Sequence, residues 1–316
     1  MLIDLFAERE SGIIAMTTLA LKFERHKTLL IALLPWVFVL LWSTGFIGAR
    51  FGLPYSEPFT FLSWRMAGNL LVFLLLMRIF KVGFPRRIAL WKQQMITGAL
   101  VHTAYLGGVF SAIELGMPAG LAALLVGLQP MLTAVIMALV YRSAPSAKQW
   151  LGLTLGIVGV ALVLSNGRAD FLQNGDVSSE QLLWVLLALT GITLGTLYQK
   201  NYCEQQPLLA ATFIQYFSGF VVMLPLALLT ENTQVQWHPE FTGALIWSVL
   251  VLSVGAILLL MLMIQMGEAT RTASYFYLVP PVTALQAWIL FDEQLTGVAL
   301  LGMAITVLGV YWVNKR

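Results

Sequence analysis

Residues 241–263 read FTGALIWSVLVLSVGAILLLMLM and contain no charged side chain. A helix needs about 20 apolar residues to cross the hydrocarbon core of a bilayer, so this run predicts a membrane-spanning helix. The rest of the chain has the same character, because 59% of its 316 residues are hydrophobic and only 10% are charged. A water-soluble domain of this length cannot bury so much apolar surface. The sequence therefore predicts an all-α integral membrane protein.

Ten apolar runs of this kind follow one another, separated by short segments that carry turn and charged residues. Ser146 and Thr296 are expected to cap the helices that follow them. Residues 1–28 mix acidic and basic side chains and are expected to form a cytoplasmic tail rather than a span or a cleaved signal, with either Met1 or Met16 as the true start. The ten predicted spans are 29–48, 58–79, 93–113, 118–141, 148–165, 181–199, 208–230, 241–263, 270–291 and 296–313.

The basic residues indicate how the spans are oriented. Of the 18 Lys and Arg residues, 15 fall in segments that face the cytoplasm if the N-terminus does, whereas only Arg50 and Arg168 fall in outer loops. This bias follows the positive-inside rule, so both termini are predicted to be cytoplasmic. The net charge of +3 then reflects membrane orientation, and no nucleic-acid partner is expected. The single cysteine, Cys203, excludes an internal disulfide.

The chain aligns with itself at an offset of about 150 residues, which indicates an internal duplication. At this offset Gly116 matches Gly267, Pro130 matches Pro281 and Gly159 matches Gly309 within a residue. The predicted organisation is a tail at 1–28, a first five-helix repeat at 29–165, an external linker at 166–180 and a second five-helix repeat at 181–316.

Because each repeat holds an odd number of spans, the second copy must enter the membrane from the opposite side. The fold prediction is therefore ten transmembrane helices arranged as two inverted five-helix repeats. Inverted repeats are typical of secondary transporters. Some channels share this symmetry, and a duplication can also simply build a stable bundle.

Three groups of residues carry a resemblance to a known family. They are Trp42-Ser43-Thr44-Gly45-Phe46, then Gly120-Leu121-Ala122-Ala123-Leu124-Leu125 leading to Gln129-Pro130, and finally Asp292-Glu293-Gln294-Leu295-Thr296 followed by Leu301-Gly302 and Leu308-Gly309-Val310. With these motifs the chain resembles the EamA-type branch of the drug/metabolite transporter (DMT) superfamily over residues 29–313. It departs from the family pattern at Arg142-Ser143-Ala144-Pro145, where members often carry a glutamate such as Glu293.

The resemblance implies a central cavity lined chiefly by spans one, three, four, six, eight and nine. It also implies a multi-pass protein of the bacterial inner membrane that exports amino acids, related metabolites or toxic compounds. The expected partners are a small-molecule substrate and the lipid bilayer, and the protein is expected to be a monomer or a homodimer. No cofactor is expected.

Arg65 lies about two helical turns into the second span, where a charged side chain costs roughly 2.5 to 3.5 kcal/mol on insertion scales unless it finds water or a partner. Such a residue is a candidate for substrate binding or gating. The alternatives are that Arg65 reaches the outer headgroups or pairs with Glu57.

His102 lies near the middle of the third span, and a histidine can take up and release a proton near neutral pH. It is the first candidate for proton coupling, although a neutral His102 bonded to a neighbouring helix is an alternative. Glu114, at the outer end of the same span, is a second candidate for coupling, or is simply solvated. His26 and His238 share no ligand spacing with His102, so no metal site is expected.

Prolines interrupt equivalent spans of the two repeats. Pro130, preceded by Gln129, lies within the fourth span, and Pro280 and Pro281 lie within the ninth. A proline removes one backbone hydrogen bond and leaves a carbonyl group free to face a cavity. Paired breaks of this kind point to a transporter binding site, although kinks that serve packing alone are the alternative.

Aromatic and amide side chains at similar depth offer apolar walls with a few hydrogen-bonding groups, as a small organic solute requires. Tyrosines near the ends of spans commonly serve the membrane interface instead. The predicted binding or gating set is Trp42, Arg65, His102, Tyr105, Gln129, Tyr198, Gln265, Tyr275 and Tyr277, with Gln199, Gln215, Tyr216 and Gln286 in a wider set.

Small residues recur on one face of the fifth span, at Gly152, Gly156 and Gly159, and on the tenth span. Such faces allow helices to approach closely. They predict packing within the chain, or alternatively a dimer contact.

No Walker-type GxxxxGK[ST] motif occurs, so the leading prediction is a secondary transporter driven by an ion gradient or by the substrate's own gradient. An intramembrane enzyme would need clustered catalytic groups at membrane depth, and only Arg65 and His102 lie deep. A non-transporting sensor or assembly factor would need a larger soluble part than the loop at 166–180.

Overall fold

The computed structural model describes residues 33–45, 47–49, 51–117, 122, 125–140, 142, 145–164, 178–203, 206–266, 275–291 and 296–314. Within these ranges the regular structure is helical and no strand occurs, which confirms the all-α prediction. The predicted tail at 1–28 with Met1 and Met16, and residues 166–177 of the predicted linker, lie outside the described residues. The chain divides at Val37, and the packing discussed below is that of the unit Phe38–Arg316.

The helices are numbered in chain order. They are α1 (Leu33–Tyr55), α2 (Pro58–Ile79), α3 (Ile88–Gly98, continued by Ala99–Gly107 and Gly108–Glu114), α4 (Gln129–Leu139), α5 (Ala147–Leu164), α6 (Ser179–Tyr202), α7 (Leu208–Thr230), α8 (Pro239–Trp247, continued by Ser248–Ala256 and Ile257–Met266), α9 (Tyr275–Leu278 as a 3₁₀ turn, then Val279–Phe291) and α10 (Gly297–Asn314).

Six of these helices, α1, α2, α3, α6, α7 and α8, are long and apolar enough to cross a membrane. Shorter apolar helices occupy the described parts of the predicted fourth, ninth and tenth spans. Helix α3 begins at Ile88, five residues before the predicted span, because hydropathy marks only the hydrocarbon core. Lys92 lies in that first turn and a half, where a long stem can carry the charge towards the headgroups.

The burial pattern is that of a protein surrounded by lipid. Leu229 is 82% exposed and Leu71 is 71% exposed, whereas the side chains of Asn69, Gln94 and Gln129 are completely buried. Polar groups avoid hydrocarbon because it offers them no hydrogen bonds. Apolar side chains gain nothing by leaving it, so they remain on the outside.

Helices α2 and α7 pack side by side in opposite directions. Glu57, the residue before α2, accepts a hydrogen bond at its Oε2 from the backbone N–H of Asn232, just beyond the end of α7, at 2.9 Å. Midway along the pair, the rings of Phe73 and Tyr216 are 5.4 Å apart. The first residues of the two helices, Pro58 and Leu208, are 150 positions apart in the sequence.

Helices α5 and α10 form a second antiparallel pair, at the glycine faces. A Cβ atom added at Gly152 would lie 2.6 Å from the carbonyl oxygen of Gly309, and one added at Gly159 would lie 2.6 Å from that of Gly302. Only a hydrogen fits in these places, so the two backbones are in direct contact. These glycines therefore pack within the chain, and the dimer alternative is not needed to explain them.

Two segments of the described part of the chain are π-helical, Ala99–Gly107 in the middle of α3 and Ser248–Ala256 in the middle of α8. Their first residues are 149 positions apart. A π-helical segment is rare, and where one occurs within an α-helix it is frequently at a functional site.

Helix α3 is held between α6 and α7. A Cβ atom at Gly98 would lie 2.4 Å from the carbonyl oxygen of Gln215 on α7, and one at Gly108 would lie 2.5 Å from that of Trp184 on α6. With no side chain at either place, α3 approaches both neighbours at backbone distance. This close packing fixes the rotation of α3 and the direction in which its polar residues point.

Candidate functional site

An open cavity lies in the half of the bundle where α2 begins and α3 ends. The wall is mostly apolar and comes from α1, α2, α3 and α8. The lining residues are Trp42, Gly45, Ala49, Arg65, Val101, His102, Tyr105, Leu106, Val109, Phe110, Ile113, Leu252 and Ile257.

Among the described residues that line the cavity, Arg65 is the one charged side chain. It is 5% exposed, and its Nε and Nη2 atoms lie 3.4 and 3.3 Å from Oγ of Ser253. Among the described residues, no carboxylate forms an ion pair with Arg65. Glu57 instead holds Asn232, so Arg65 contacts Ser253 rather than Glu57.

Ser253 is a contact that sequence reasoning missed. It lies in the π-helical segment of α8 and donates its own hydroxyl hydrogen to the carbonyl oxygen of Ser248 at 2.9 Å. Its hydroxyl oxygen is then free to accept from Arg65. The repeat offset contained a signal, because a residue about 150 positions after His102 falls at the same level of the second repeat.

His102 lies in the π-helical segment of α3 and is 1% exposed. Its ring centroid is 4.5 Å from that of Tyr216 on α7. The Gln215 amide lies nearby, but neither ring nitrogen reaches a partner at hydrogen-bonding geometry among the described residues. His102 thus brings an unused donor and acceptor to the wall that also carries Arg65.

Trp42 and Tyr105 form an aromatic face on the cavity. Their rings are nearly parallel, at 13°, with centroids 6.2 Å apart. Phe276 on α9 supports Trp42 from behind with an edge-to-face contact at 5.1 Å. Four residues of the predicted set, Trp42, Arg65, His102 and Tyr105, therefore meet in one cavity.

Other described residues of the predicted set contact other parts of the bundle. Gln129 is buried and donates through Nε2 to Oγ1 of Thr196 on α6 at 3.3 Å. Tyr198 contacts Tyr202, one turn further along α6, at 4.6 Å between ring centroids. Tyr277 packs against Gly156 of α5. Tyr275 is half-buried, and the side chain of Gln265 lies outside the described residues.

Among the described residues, those that line the cavity come from α1, α2, α3 and α8, and none comes from the fourth, sixth or ninth span. The physical reason is that Gln129 contacts Thr196 on α6 and Tyr277 contacts Gly156 on α5, so both side chains pack between neighbouring helices. Glu114 ends α3 as an exposed residue.

Pro130 lies in the first turn of α4, which begins at Gln129, and Pro280-Pro281 lie in the first turn of the α-helical part of α9, which begins at Val279. A first turn needs no internal N–H donor, so proline fits there without breaking a hydrogen bond. In both helices the segment just before the proline is not α-helical. It is a turn at Gly127-Leu128 and a 3₁₀ turn at Tyr275–Leu278.

Several known proteins are similar to this chain in sequence. The sequence model of the EamA-like transporter family matches residues 29–165 and matches again at residues 180–315. The uncharacterized transporter YvbV of Bacillus subtilis is 29% identical over 290 residues, which cover 90% of this chain and 92% of YvbV. Probable amino-acid metabolite efflux pumps of Salmonella typhimurium and Escherichia coli are each 25% identical, with 86% of this chain and 91% of each pump covered.

A solved crystal structure of another protein superimposes with a TM-score of 0.74, covering 89% of this chain and 95% of that protein. The sequence identity is 18%, so the match establishes a shared fold and nothing about a shared ligand.

Proposed function

The chain belongs to the EamA-like transporter family, and from that premise we propose that it is a secondary transporter that exports amino acids, related small metabolites or drugs through the cavity around Arg65 and His102. Membership of this family makes the protein a membrane transporter and not an enzyme. The observation that carries the proposal is the cavity itself, a mostly apolar space that places a cation, an imidazole and two aromatic rings deep in the bundle.

We further propose that the two halves are inverted-topology repeats and that the transporter works by alternating access. The support is that helices 150 positions apart, α2 with α7 and α5 with α10, lie side by side in opposite directions. The two successive matches to one family model support the duplication. Two similar halves of opposite orientation can exchange conformations, which opens a central site to either side in turn.

The proposed orientation places both termini in the cytoplasm of a bacterial cell, with the protein in the inner membrane. The uneven distribution of Lys and Arg over the loops supports this orientation. On this arrangement α2 begins and α3 ends at the outer surface, so the cavity lies in the outer half.

Amino acids or their metabolites are proposed as substrates because relatives from Salmonella typhimurium and Escherichia coli are named as probable amino-acid metabolite efflux pumps. The mostly apolar wall with a few polar groups suits a small organic molecule.

Coupling to protons through His102 is the proposed energy source. The groups that face or adjoin the imidazole are Arg65 on α2, Tyr216 and Gln215 on α7, and Tyr105 on its own helix. None of them holds a ring nitrogen in a fixed hydrogen bond. A proton can therefore bind to His102 without breaking an existing hydrogen bond, provided that an anion entering the cavity offsets the charge of Arg65.

The test is transport by the purified full-length chain in proteoliposomes. A panel of amino acids and related metabolites is presented with and without an imposed pH gradient, and empty liposomes serve as the control. Saturable uptake and counterflow of one class of solute are expected, with faster flux when the gradient is present. Flux no greater than in empty liposomes across amino acids, metabolites and drugs would refute the proposal.

A further inference from the structure

We propose that Arg65 forms an anion subsite in the cavity and that the protein selects solutes with a free carboxylate on an apolar or aromatic body. This inference rests on the proposed function, because it names the chemical class of substrate that the same cavity accepts.

Arg65 carries an unbalanced charge. Arg65 is almost completely buried, and among the described residues it has no acidic partner. Removing an ion from water costs several kcal/mol unless an opposite charge or enough hydrogen bonds compensate for it. A carboxylate entering the cavity would supply that compensation, so the site favours an anion over a neutral or cationic solute.

The guanidinium of Arg65 has the geometry to bind a carboxylate. An arginine side chain presents five N–H donors in a planar fork that matches the two oxygens of a carboxylate. Among the described residues, Arg65 donates hydrogen bonds to one neutral acceptor, Oγ of Ser253, at 3.3 and 3.4 Å. Both distances exceed the usual 2.9 to 3.0 Å for an N–H···O bond. The fork therefore retains most of its capacity to bind an anion.

The guanidinium of Arg65 is held in a defined position by its neighbours. Ser253 is completely buried, and its hydroxyl is itself fixed by the bond to Ser248. The backbone carbonyl of Ser253 accepts a hydrogen bond from the hydroxyl of Tyr216 at 3.2 Å. These contacts hold the π-helical segment of α8 against Arg65, so the cation has a defined position before any ligand arrives.

The body of the ligand is indicated by the rest of the wall. Trp42 and Tyr105 offer a flat aromatic face, and apolar side chains including Val101, Leu106 and Leu252 complete much of the lining. Aromatic and aliphatic groups bury well against such a surface. A solute with one carboxylate and one apolar side therefore matches the charge and the shape of this cavity.

The experiment is calorimetric titration of the full-length protein in detergent with matched acids and amides. The ligands are phenylalanine and phenylalaninamide, leucine and leucinamide, and 3-phenylpropanoate. Arg65→Gln removes the charge and Arg65→Lys keeps a charge without the fork. Arg78→Gln is the matched control, because Arg78 is on the same helix but exposed at its far end.

We expect the acids to bind the wild type about tenfold or more tightly than the amides, as the loss of a charge-assisted hydrogen bond implies. Arg65→Gln should weaken the binding of the acids by a similar factor and leave acids and amides equal. Arg65→Lys should fall between Arg65→Gln and the wild type, and Arg78→Gln should match the wild type.

Equal binding of acids and amides by the wild type would overturn the proposal, and so would the absence of binding by any acid or the retention of full affinity in Arg65→Gln. If Arg65→Gln does not fold, the comparison of acids with amides on the wild type and on Arg65→Lys still decides. Selective binding of acids without flux in proteoliposomes would refute the transport proposal and leave the anion subsite standing. Flux without a preference for acids would refute the anion subsite and leave the transport proposal standing.

Discussion

Glu231, the residue after α7, caps the N-terminus of α2 through Thr60. Its Oε2 atom accepts hydrogen bonds from both the backbone N–H and the hydroxyl of Thr60 at 2.7 Å. Its Oε1 atom accepts from the backbone N–H of Phe59 at 2.7 Å. The free N–H groups at the start of a helix need acceptors, and a negative charge there is favourable. One carboxylate from the second half of the chain thus completes a helix of the first half.

Replacing Glu231 by alanine should lower the free energy of unfolding by about 1 to 2 kcal/mol, because a cap that serves several N–H groups is lost. Thermal unfolding in detergent measures the effect. Glu180→Ala is the control, since Glu180 is an exposed residue in the first turn of α6 and should change stability far less. Equal shifts for the two variants would contradict the capping role.

Gly159→Leu should prevent folding or strongly destabilise the protein, because a side chain there would meet the backbone of α10. Gly243→Ala, in a helix with nothing within 4 Å of the added atom, should be neutral or slightly stabilising. Expression level and elution as a single species on size exclusion report the difference. A well-folded Gly159→Leu protein would show that α5 and α10 are not in backbone contact.

Replacing His102 by glutamine should abolish the dependence of uphill transport on a pH gradient, because glutamine cannot carry the proton. Counterflow under equal pH should persist, since exchange of substrate needs no net proton movement. Proteoliposomes loaded at two pH values provide the measurement. A variant that still concentrates solute in response to the gradient would refute the assignment of His102.

Gln94 connects α3 to two other segments of the chain. It donates to Oε1 of Gln206 at 2.9 Å and accepts at its own Oε1 from Nε2 of Gln215 at 2.6 Å. Gln94→Leu should cost about 1 to 3 kcal/mol, since the buried Gln215 amide loses its acceptor. The double variant with Gln215→Leu should lose less than the sum of the two single variants. Strict additivity in thermal unfolding would contradict the coupling.

Cys203 follows α6 and is 3% exposed, and burial raises the pKa of its thiol above the ordinary value. The thiolate is the reactive form, so maleimide labelling of the folded protein should be slow at neutral pH. The rate should increase with pH and level off only above this raised pKa. The double variant Cys203→Ala with Ser179→Cys, which moves the thiol to an exposed position, should label rapidly. Rapid labelling of the folded wild type would contradict the burial of Cys203.

Much of the helical layout could be predicted from local sequence. Ser146, expected to cap a helix, accepts a hydrogen bond from the backbone N–H of Gln149 at 3.3 Å, which confirms that prediction. Four of the proposed site residues, among them Arg65 and His102, line one cavity. They could be predicted because a polar side chain in an apolar span already marks an unusual place.

The partner of Arg65 could not be predicted in the same way. Whether Arg65 meets Glu57 or Ser253 depends on how α2 and α8 are rotated about their axes. That rotation is set by contacts far apart in the sequence, such as the approach of Val249 to Gly68. Gln129 illustrates the same limit, because its depth was readable from the spans but its bond to Thr196 was not.

The antiparallel arrangement of α2 with α7 and of α5 with α10 has an electrical consequence. A helix carries a dipole equivalent to roughly half an elementary charge of each sign at its ends. In an antiparallel pair the two dipoles oppose each other, so the pair has little net moment along the membrane normal. The membrane voltage then acts chiefly on groups with net charge, at about 2.3 kcal/mol per elementary charge and 100 mV. In this protein the voltage therefore acts on Arg65 much more than on these paired helices.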